Sequence, residues 1–292
     1  MIGILAALGL YVAILLIVAF AALRPARSPI FLSPAALGAP VEDIEFDSSG
    51  IKLRGWWMPV SNPRWVAVLM HGYVMNRSEN AAIAAALRDM GCASLLFDSR
   101  ASGKSDGTRV GFGVLEADDV LAACRFAETK APGVPRVLIG SSMGAAAAAF
   151  ALERNPDCAA AAILDSAYHT LPSATLGWWR FIGGRAAQIL LAPTVLVAAP
   201  FARFNPFRAS VGRALAAIDK PILITHGTAD RLVSYKHAEA NFAAAKTAGR
   251  TNVRLKLYEG AGHSEARWTH AAEFLSDISA MLAEVAKEKV AS

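Results

Sequence analysis

The chain of 292 residues lacks the features that mark several large classes of protein. Its three cysteines, Cys92, Cys124 and Cys158, are too few and too widely spaced for a disulfide framework or paired Cys-x-x-Cys metal ligands. We therefore expect each of them to be a small buried side chain. Charged residues make up only 18% of the chain, without a dense lysine and arginine tract, so composition does not support nucleic-acid binding. The hydrophobic content of 54% instead predicts a large core, a membrane segment, or both.

Charge is absent from residues 1–23, and nearly all of them are apolar. A helix of this length rises about 34 Å, enough to cross a hydrocarbon core of about 30 Å. Arg24 and Arg27 follow directly, and the net charge of +5 suits a surface near an anionic membrane. We interpret residues 1–23 as an uncleaved transmembrane anchor, and the positive-inside rule favours a cytoplasmic main domain. A signal peptide cleaved near residues 19–21 is the alternative, disfavoured because no lysine or arginine precedes the apolar run.

The main domain is predicted to cover residues 42–288, after a proline-containing linker at residues 24–41. Apolar alternation on both sides of residues 48–50 predicts an antiparallel hairpin at its start. Short apolar runs then alternate with longer helical segments, which indicates an α/β fold with a mostly parallel central sheet flanked by helices. The predicted strands are 65–70, 93–97, 134–139, 160–164, 221–225 and 253–257, and the predicted helices are 78–90, 114–128, 143–154, 234–247 and 268–287.

One stretch interrupts this alternation. Residues 166–217 contain no run suited to a strand where one is due, but they are rich in aromatic and aliphatic side chains. An insertion between two strands, at their carboxyl edge, is where a lid over a binding site would lie. We predict an apolar lid or cap here, with a pair of helices that merely extends the core as the alternative.

The most informative motif is Gly140-Ser141-Ser142-Met143-Gly144, which follows an apolar β-branched run and precedes a run of alanines. A G-x-S-x-G sequence between a strand and a helix is typical of a nucleophile elbow. Gly140 and Gly144 leave room for the tight turn, and Ser142 is held at the carboxyl edge of the sheet. The following helix directs its free N–H groups toward the site where an oxyanion would form. The motif predicts that Ser142 is a nucleophile.

A serine hydroxyl is a poor nucleophile at neutral pH, so it needs a base and a third group that orients the base. In this architecture the acid and the histidine follow the serine along the chain, on loops after late strands. Asp230 comes just after the strand predicted at 221–225, and His263 lies in a glycine-containing loop after the strand at 253–257. We predict Asp230 as the acid and His263 as the base, with Asp165 as the competing acid.

Acyl transfer also needs two N–H donors for the developing oxyanion. Met143, which follows the nucleophile, is predicted to supply one, and Tyr73, in the loop after the strand at 65–70, the other. His71 in the same loop is expected to order the loop by hydrogen bonding rather than to transfer protons. Four other histidines are expected to be packing or surface residues, namely His169, His226, His237 and His270.

With these motifs in place, residues 42–286 resemble the α/β-hydrolases. The likeness is to the membrane-anchored or lidded serine hydrolases, which include serine aminopeptidase-like and acyl-thioesterase-like members. The resemblance implies the α/β-hydrolase fold, a triad of Ser142, Asp230 and His263, and hydrolysis of esters, thioesters or amides. The motifs that carry it are His71-Gly72, residues 98–105, Gly140 to Gly144, His226 to Asp230 and Gly262-His263.

Two positions depart from the pattern of these enzymes. Val74 and Ala101 stand where the relatives often have glycine. The resemblance therefore implies a narrower acyl pocket or a tilted oxyanion loop, without the loss of any reacting group.

The residues together favour a serine hydrolase that acts on a carboxylic ester or an acyl thioester through an acyl-enzyme intermediate. Its expected partners are a small-molecule or lipid-like acyl substrate and the membrane that holds the N-terminal helix; neither a metal nor an organic cofactor is expected. An amide or peptide hydrolase is the first alternative, because the sequence barely separates it from an esterase. A catalytically silent binding module at the membrane is the second, disfavoured because all three triad positions are filled.

Overall fold

A sheet of eight strands forms the centre of the computed structural model, which describes residues 1–291 and the side chains of residues 1–286. The spatial order is β1-β2-β4-β3-β5-β6-β7-β8. Neighbours pair in parallel from β4 to β8, whereas β2 pairs antiparallel with both β1 and β4. The strands are β1 (Glu42–Ser48), β2 (Ile51–Met58), β3 (Trp65–Met70), β4 (Cys92–Phe97), β5 (Arg136–Ser141), β6 (Ala161–Asp165), β7 (Ile222–Gly227) and β8 (Val253–Tyr258).

Helices cover both faces of this sheet. On one face α3, α4, α7 and α8 contribute to a core with the strands, and on the other face α2 and α10 do. The predicted α/β class is therefore confirmed. The helices are α1 (Ile2–Leu23), α2 (Ala81–Asp89), α3 (Glu116–Lys130), α4 (Met143–Arg154), α5 (Leu171–Leu191), α6 (Thr194–Ala202), α7 (Val211–Ala217), α8 (Lys236–Thr247), α9 (Ala266–Thr269) and α10 (Ala271–Ala291).

Most element bounds lie within two residues of the predicted ones, but the last predicted helix is wrong in one respect. It is divided into α9 and α10, because His270 leaves the helical region with φ −128° and ψ 37°. The strand order also reverses beside β3, which lies between β4 and β5. In open α/β sheets, ligands bind at such a switch point, outside the carboxyl ends of the strands.

The segment at residues 166–217 folds into three α-helices. Among the described residues, its only isolated β-bridge joins Thr170 and Ser210, which both lie within the segment. α7 packs into the main core with the strands. α5 bends where Gly183 and Gly184 leave helical geometry, and α5 and α6 together are bent by 82°. We refer to α5 and α6 as the cap helices.

The N-terminal helix lies against the domain along part of its length. Leu15, Ala19 and Leu23 are buried, and the Val110 N–H donates to the Leu23 carbonyl at 2.9 Å. By length and composition, α1 is the one described helix that could cross a membrane alone; the bent pair α5 and α6 meets the same criteria if it counts as one span. An N-terminal signal sequence meets them as well.

The predicted linker also contacts the domain. The side-chain amide of Asn76 donates to Ser28 and to the Pro29 carbonyl, and the Phe31 N–H donates to the Ser78 hydroxyl. These contacts attach the chain after α1 to the loop that follows β3.

Candidate active site

Ser142 lies directly after β5, in a turn that only small neighbours permit. Its backbone has φ 51° and ψ −111°, which is a strained conformation for a residue with a side chain. A Cβ atom at Gly144 would lie 2.5 Å from the Met70 carbonyl oxygen, and one at Gly140 would overlap the Gly144 carbonyl. The two glycines therefore allow β5 to enter α4 within one residue, with the Ser142 side chain at the carboxyl edge of the sheet.

His263 and Asp230 reach the same edge from two other loops. His263 Nε2 lies 2.9 Å from the Ser142 hydroxyl, and His263 Nδ1 lies 2.7 Å from Asp230 Oδ2. Asp230 follows β7, and His263 lies between β8 and α9. Because an ionised carboxylate only accepts, Nδ1 donates to Asp230 and Nε2 accepts from the serine hydroxyl. The structure thus brings together all three residues that the sequence singled out.

The Asp230 carboxylate is held by four donors. Oδ1 accepts from the backbone N–H groups of Leu232 and Val233 at 2.9 and 2.8 Å, and Oδ2 accepts from His263 and His226. Burial alone would raise the pKa of Asp230, but the hydrogen bonds from the two histidines outweigh it and hold the pKa well below the usual range. Asp230 is therefore an anion at neutral pH.

His226 is a residue whose contact with the site the sequence interpretation missed. Its side chain is fully buried, as for a packing residue, but Nε2 also lies 2.9 Å from Asp230 Oδ2 and 2.7 Å from the Val233 carbonyl. Since a carbonyl only accepts, Nε2 carries the proton and shares it between these two acceptors. The available signal was the spacing of four residues between His226 and Asp230 in one turn after β7.

Asp165, the competing acid, belongs to another network. It accepts from Arg267 Nη2 at 2.8 Å and from the Thr225 hydroxyl at 3.0 Å. Arg267 Nη1 donates to the side-chain oxygen of Asn80 at 2.9 Å. Asp165 is thus part of a buried ion pair behind the sheet edge, and the geometry favours Asp230 as the partner of His263.

The loop after β3 is ordered by His71, as expected from the sequence. The buried His71 ring accepts from the Ser99 N–H at 3.0 Å and donates to the Gly72 carbonyl at 2.7 Å. Tyr73 in this loop and Met143 after the nucleophile line the same cavity as Ser142. Within the described part of the chain, neither of these two N–H groups donates to a protein acceptor.

Glu79 is a second residue that the sequence interpretation missed. One carboxylate oxygen accepts from the Gly72 N–H at 2.6 Å, and the other accepts from the Ser141 hydroxyl at 2.7 Å. The Ser141 oxygen lies 2.9 Å from the hydroxyl of Ser264, the residue after His263. Glu79 therefore joins the loop after β3 to the turn that carries Ser142 and, through Ser141, to the loop that carries His263. No local pattern marks it, because it lies in a short polar turn before α2.

Both departures from the family pattern occur where the backbone requires a left-handed conformation. Val74 has φ 59° and Ala101 has φ 58°, in the region that glycine adopts without steric cost. The strain is greater for Val74, because β-branched side chains tolerate positive φ poorly. Val74 also lines the cavity beside Ser142. A glycine at either position would be conformationally easier.

A cavity of about 410 Å³ extends from Ser142 toward the cap. Its wall is mostly apolar and includes Ala22 of α1. The Tyr73 ring, which packs against Phe112 and edge-on against Trp178, helps to shape it. The cap contributes four further side chains to the wall, Leu171, Ala174, Thr175 and Trp179. This lining suits an aliphatic or aromatic acyl group. Among the described residues, no group of three or more histidine, cysteine or acidic side chains is arranged to hold a metal.

Comparison with known proteins gives three kinds of match. The family model described as "Serine aminopeptidase, S33" matches residues 61–204. A monoacylglycerol lipase from Mycolicibacterium smegmatis is 26% identical over 237 residues, which cover 71% of this chain and 84% of that protein. A solved esterase from Pyrococcus furiosus is similar with a TM-score of 0.75 at 22% identity, over 90% of this chain and 97% of the esterase.

A more distant structural match is an acylaminoacyl peptidase from Pyrococcus horikoshii, with a TM-score of 0.61 at 16% identity. It covers 79% of this chain but only 38% of the peptidase. At these identities, the structural likenesses show a shared fold.

Proposed function

Because the chain belongs to the α/β-hydrolase superfamily and has its fold, we propose that it is a serine hydrolase for carboxylic esters or acyl thioesters. The observation that carries the proposal is the hydrogen-bonded series Ser142, His263 and Asp230, with distances of 2.9 and 2.7 Å. The lipase and esterase among its relatives support hydrolysis of an ester bond. The apolar cavity beside Ser142 supports an acyl substrate.

In the proposed reaction, Ser142 Oγ attacks the carbonyl carbon while His263 Nε2 takes the hydroxyl proton. Asp230 stabilises the resulting imidazolium. The tetrahedral oxyanion accepts hydrogen bonds from the N–H groups of Tyr73 and Met143, which then serve as the oxyanion hole. The C–O or C–S bond breaks, His263 gives its proton to the departing alcohol or thiol, and an acyl group remains on Ser142. Water then attacks the acyl carbonyl while His263 takes its proton; the bond to Ser142 Oγ breaks, His263 returns the proton to this oxygen, and the acid is released.

Hydrolysis of an amide is the second candidate, because the matched family model is described as a serine aminopeptidase. An aminopeptidase must bind the free ammonium group of its substrate, which needs an acceptor with negative charge. Among the described residues that line the cavity, Glu79 is the only carboxylate, and both of its oxygens already accept hydrogen bonds. The lining therefore favours an uncharged acyl group over an aminoacyl group.

We also propose that α1 anchors the enzyme in a membrane as a single span. Its length and apolar composition support this, as do Arg24 and Arg27 at its carboxyl end. These arginines favour a cytoplasmic domain. The side of the membrane on which the domain lies is tested with a reporter fused to the carboxyl end of the chain. A reporter that is active only in the cytoplasm is inactive if the domain is exported.

The function is tested with the purified full chain in detergent and a panel of p-nitrophenyl esters, acyl thioesters and aminoacyl anilides of graded acyl length. Ser142→Ala is expected to lower turnover by a factor on the order of 10⁴ to 10⁶ and to abolish labelling by a fluorophosphonate. Ser276→Ala, on the exposed side of α10, is the matched control and retains both.

Undiminished labelling of the Ser142→Ala variant would contradict the assignment of the nucleophile. Absence of turnover and of labelling in the wild-type protein would favour the silent binding module. Faster turnover of aminoacyl anilides than of esters would favour the amide hydrolase.

A further inference from the structure

The N-terminal helix and the cap are packed side by side. α1 contacts α6, and the Tyr11 hydroxyl donates to the Leu190 carbonyl at 2.7 Å. Tyr11 lies twelve residues before Leu23, the last residue of α1, which is about 18 Å along the helix axis. The midplane of a hydrocarbon core lies about 15 Å from either of its surfaces. If α1 spans the membrane with Leu23 at one surface, the Leu190 end of the cap therefore lies near the middle of the bilayer.

The composition of the cap suits that depth. The exposed Arg180 and Arg185 of α5 precede residues 186–202, which contain no charged side chain. The Thr194 hydroxyl, one of their few polar groups, accepts from Trp179 Nε1 at 2.9 Å and donates to the Leu191 carbonyl at 2.6 Å. Polar groups within a bilayer must be satisfied inside the protein in this way.

The outer surface of the cap is apolar and exposed. We define the cap face as the large apolar side chains of α5 and α6 that are at least half exposed, namely Phe181, Ile182, Ile189, Leu190, Leu196 and Phe201. Water-soluble monomers rarely expose so many large apolar side chains together. The exposed apolar side chains of α1 lie beside them, so the two surfaces belong to one helix packing unit.

Three arginines lie at the end of this unit where α1 and α6 both terminate. Arg24 follows α1, Arg203 follows α6, and Arg109 donates to the carbonyl of Phe201 near the end of α6. The carboxyl ends of α1 and α6 lie near each other, because the Val110 N–H donates to the Leu23 carbonyl and the neighbouring Arg109 donates to the Phe201 carbonyl. Slight burial and the positive charges of Arg203 and Arg24 lower the pKa of Arg109. Within the described chain, none of the three forms a salt bridge. Like charges in this arrangement are complementary to the phosphate groups at a membrane surface.

From these contacts we propose that the cap face is covered by lipid: α5 and α6 insert beside the carboxyl-terminal half of α1, from the level of the three arginines to about the midplane. Because Ala22 of α1 and Trp178 of α5 both line the cavity, the substrate reaches Ser142 from within the bilayer and is an acyl ester dissolved in the membrane. The substrate class rests on the proposed function, whereas insertion of the cap does not.

Insertion is tested with the full chain reconstituted in vesicles of phosphatidylcholine and phosphatidylglycerol. A fluorophore attached to Leu196→Cys is expected to be quenched by nitroxide lipids, at a depth comparable to that of a label at Ile17→Cys on α1, because each residue lies six positions before the last residue of its helix. A label at Phe201→Cys should be shallower, since it lies nearer the arginines. A label at Ser276→Cys, on exposed α10, is the matched control and responds only to a quencher in water.

Quenching of the Leu196 label by the aqueous quencher overturns the proposal. So does shielding from both quenchers, which would indicate that a second copy of the chain covers the cap face. An α1 label that lipid does not quench overturns it as well, because the cap would then lack its neighbour in the bilayer.

The substrate class is tested with Ile189→Glu combined with Leu196→Glu. Hydrolysis of a long-chain acyl ester dissolved in vesicles is expected to fall at least tenfold, while that of a short-chain p-nitrophenyl ester in water stays within twofold. Ala280→Glu, which places a charge on exposed α10, changes neither rate. If the double variant changes the rates on the two substrates by the same factor relative to the wild type, the inference is overturned. Loss of the proposed function would appear differently, as failure of the wild-type protein to hydrolyse either ester.

Discussion

The rim of the sheet around Ser142 and the cap above it are built on opposite principles. At the rim, polar side chains are buried and joined by hydrogen bonds, as Asp230 with four donors and Glu79 with two show. In the cap helices, apolar side chains are exposed, and the described chain between residues 171 and 202 has no acidic side chain. Electrostatic preorganisation at the rim requires a fixed, dry network, whereas the cap is suited to an apolar solvent. The comparison predicts that charge substitutions at the rim change the rate of catalysis, whereas charge substitutions on the cap change its insertion in the membrane.

Among substitutions that change a charge, the largest effect is expected from neutralising Asp230. Asp230→Asn should lower kcat/KM for a soluble ester by about 10⁴, because an amide does not stabilise the imidazolium of His263 and disturbs its tautomer. Steady-state kinetics with a p-nitrophenyl ester measures the loss. Asp157→Asn, at an exposed carboxylate, is the control with unchanged rates. A loss smaller than tenfold would mean that Asp230 is not the partner on which His263 depends.

The pH dependence of stability should arise on the rim side of the comparison. Burial raises the pKa of Glu116 to about 7, while its oxygens accept from the Gly111 and Gly113 N–H groups at 2.7 Å. Between pH 4.5 and 7, the folded state keeps a proton that the unfolded state has released. The contribution of Glu116 to the free energy of unfolding therefore falls as the pH rises through this window, by an amount on the order of 3 kcal/mol. Burial lowers the pKa of His237 to about 4, so that residue contributes a slope of opposite sign between pH 4 and 6.5.

Glu116→Gln should remove that contribution, so the free energy of unfolding at about pH 7.5 relative to that at about pH 5 should be higher in the variant than in the wild type, which urea unfolding at the two pH values measures. The exposed Glu259→Gln is the matched control and should keep the wild-type slope. An unchanged slope in Glu116→Gln would show that other groups produce the pH dependence. Because the cap helices contain no carboxylate, substitutions confined to them should leave the slope intact.

The rim and the cap also differ in how far the sequence predicts them. The nucleophile turn is encoded locally, since the glycines at 140 and 144 are required by contacts within a few residues and by β3. The role of Glu79 in hydrogen bonding depends on which strands become neighbours, since Ser141 is 62 residues from Glu79. Periodicity carries no information on such pairs.

The contact between α1 and the cap joins two residues that are widely separated in the sequence. Tyr11 and Leu190 are 179 residues apart, and each lies in a segment whose apolar composition is explained without the other. The sequence therefore predicted two apolar elements but not their packing. Similarly, the identities of Val74 and Ala101 were noticed as departures, but the positive φ that makes them costly is visible only in the backbone.

A smaller catalytic effect is expected at Glu79. Glu79→Gln retains one acceptor for either the Gly72 N–H or the Ser141 hydroxyl, so the loop that carries Tyr73 loses part of its orientation. We expect kcat to fall about tenfold with KM nearly unchanged, which is the pattern for loss of an interaction that stabilises only the transition state. Asp89→Asn on exposed α2 is the control. A rise in KM at constant kcat would instead assign Glu79 to substrate binding.

The smallest effect concerns backbone strain, which the rim stores and the bend of α5 avoids. Positive φ occurs at Ser142 and Val74 in the rim, whereas the bend of α5 places glycine, Gly184, in the same region. Val74→Gly should raise the free energy of unfolding by about 1 kcal/mol, because relief of strain of about 1–3 kcal/mol exceeds the entropic cost of glycine, about 0.5–1 kcal/mol. Val74→Ala keeps a Cβ atom and should gain less, which denaturant unfolding of the three proteins measures. If the alanine variant were the more stable of the two, side-chain packing rather than backbone strain would determine the residue at this position.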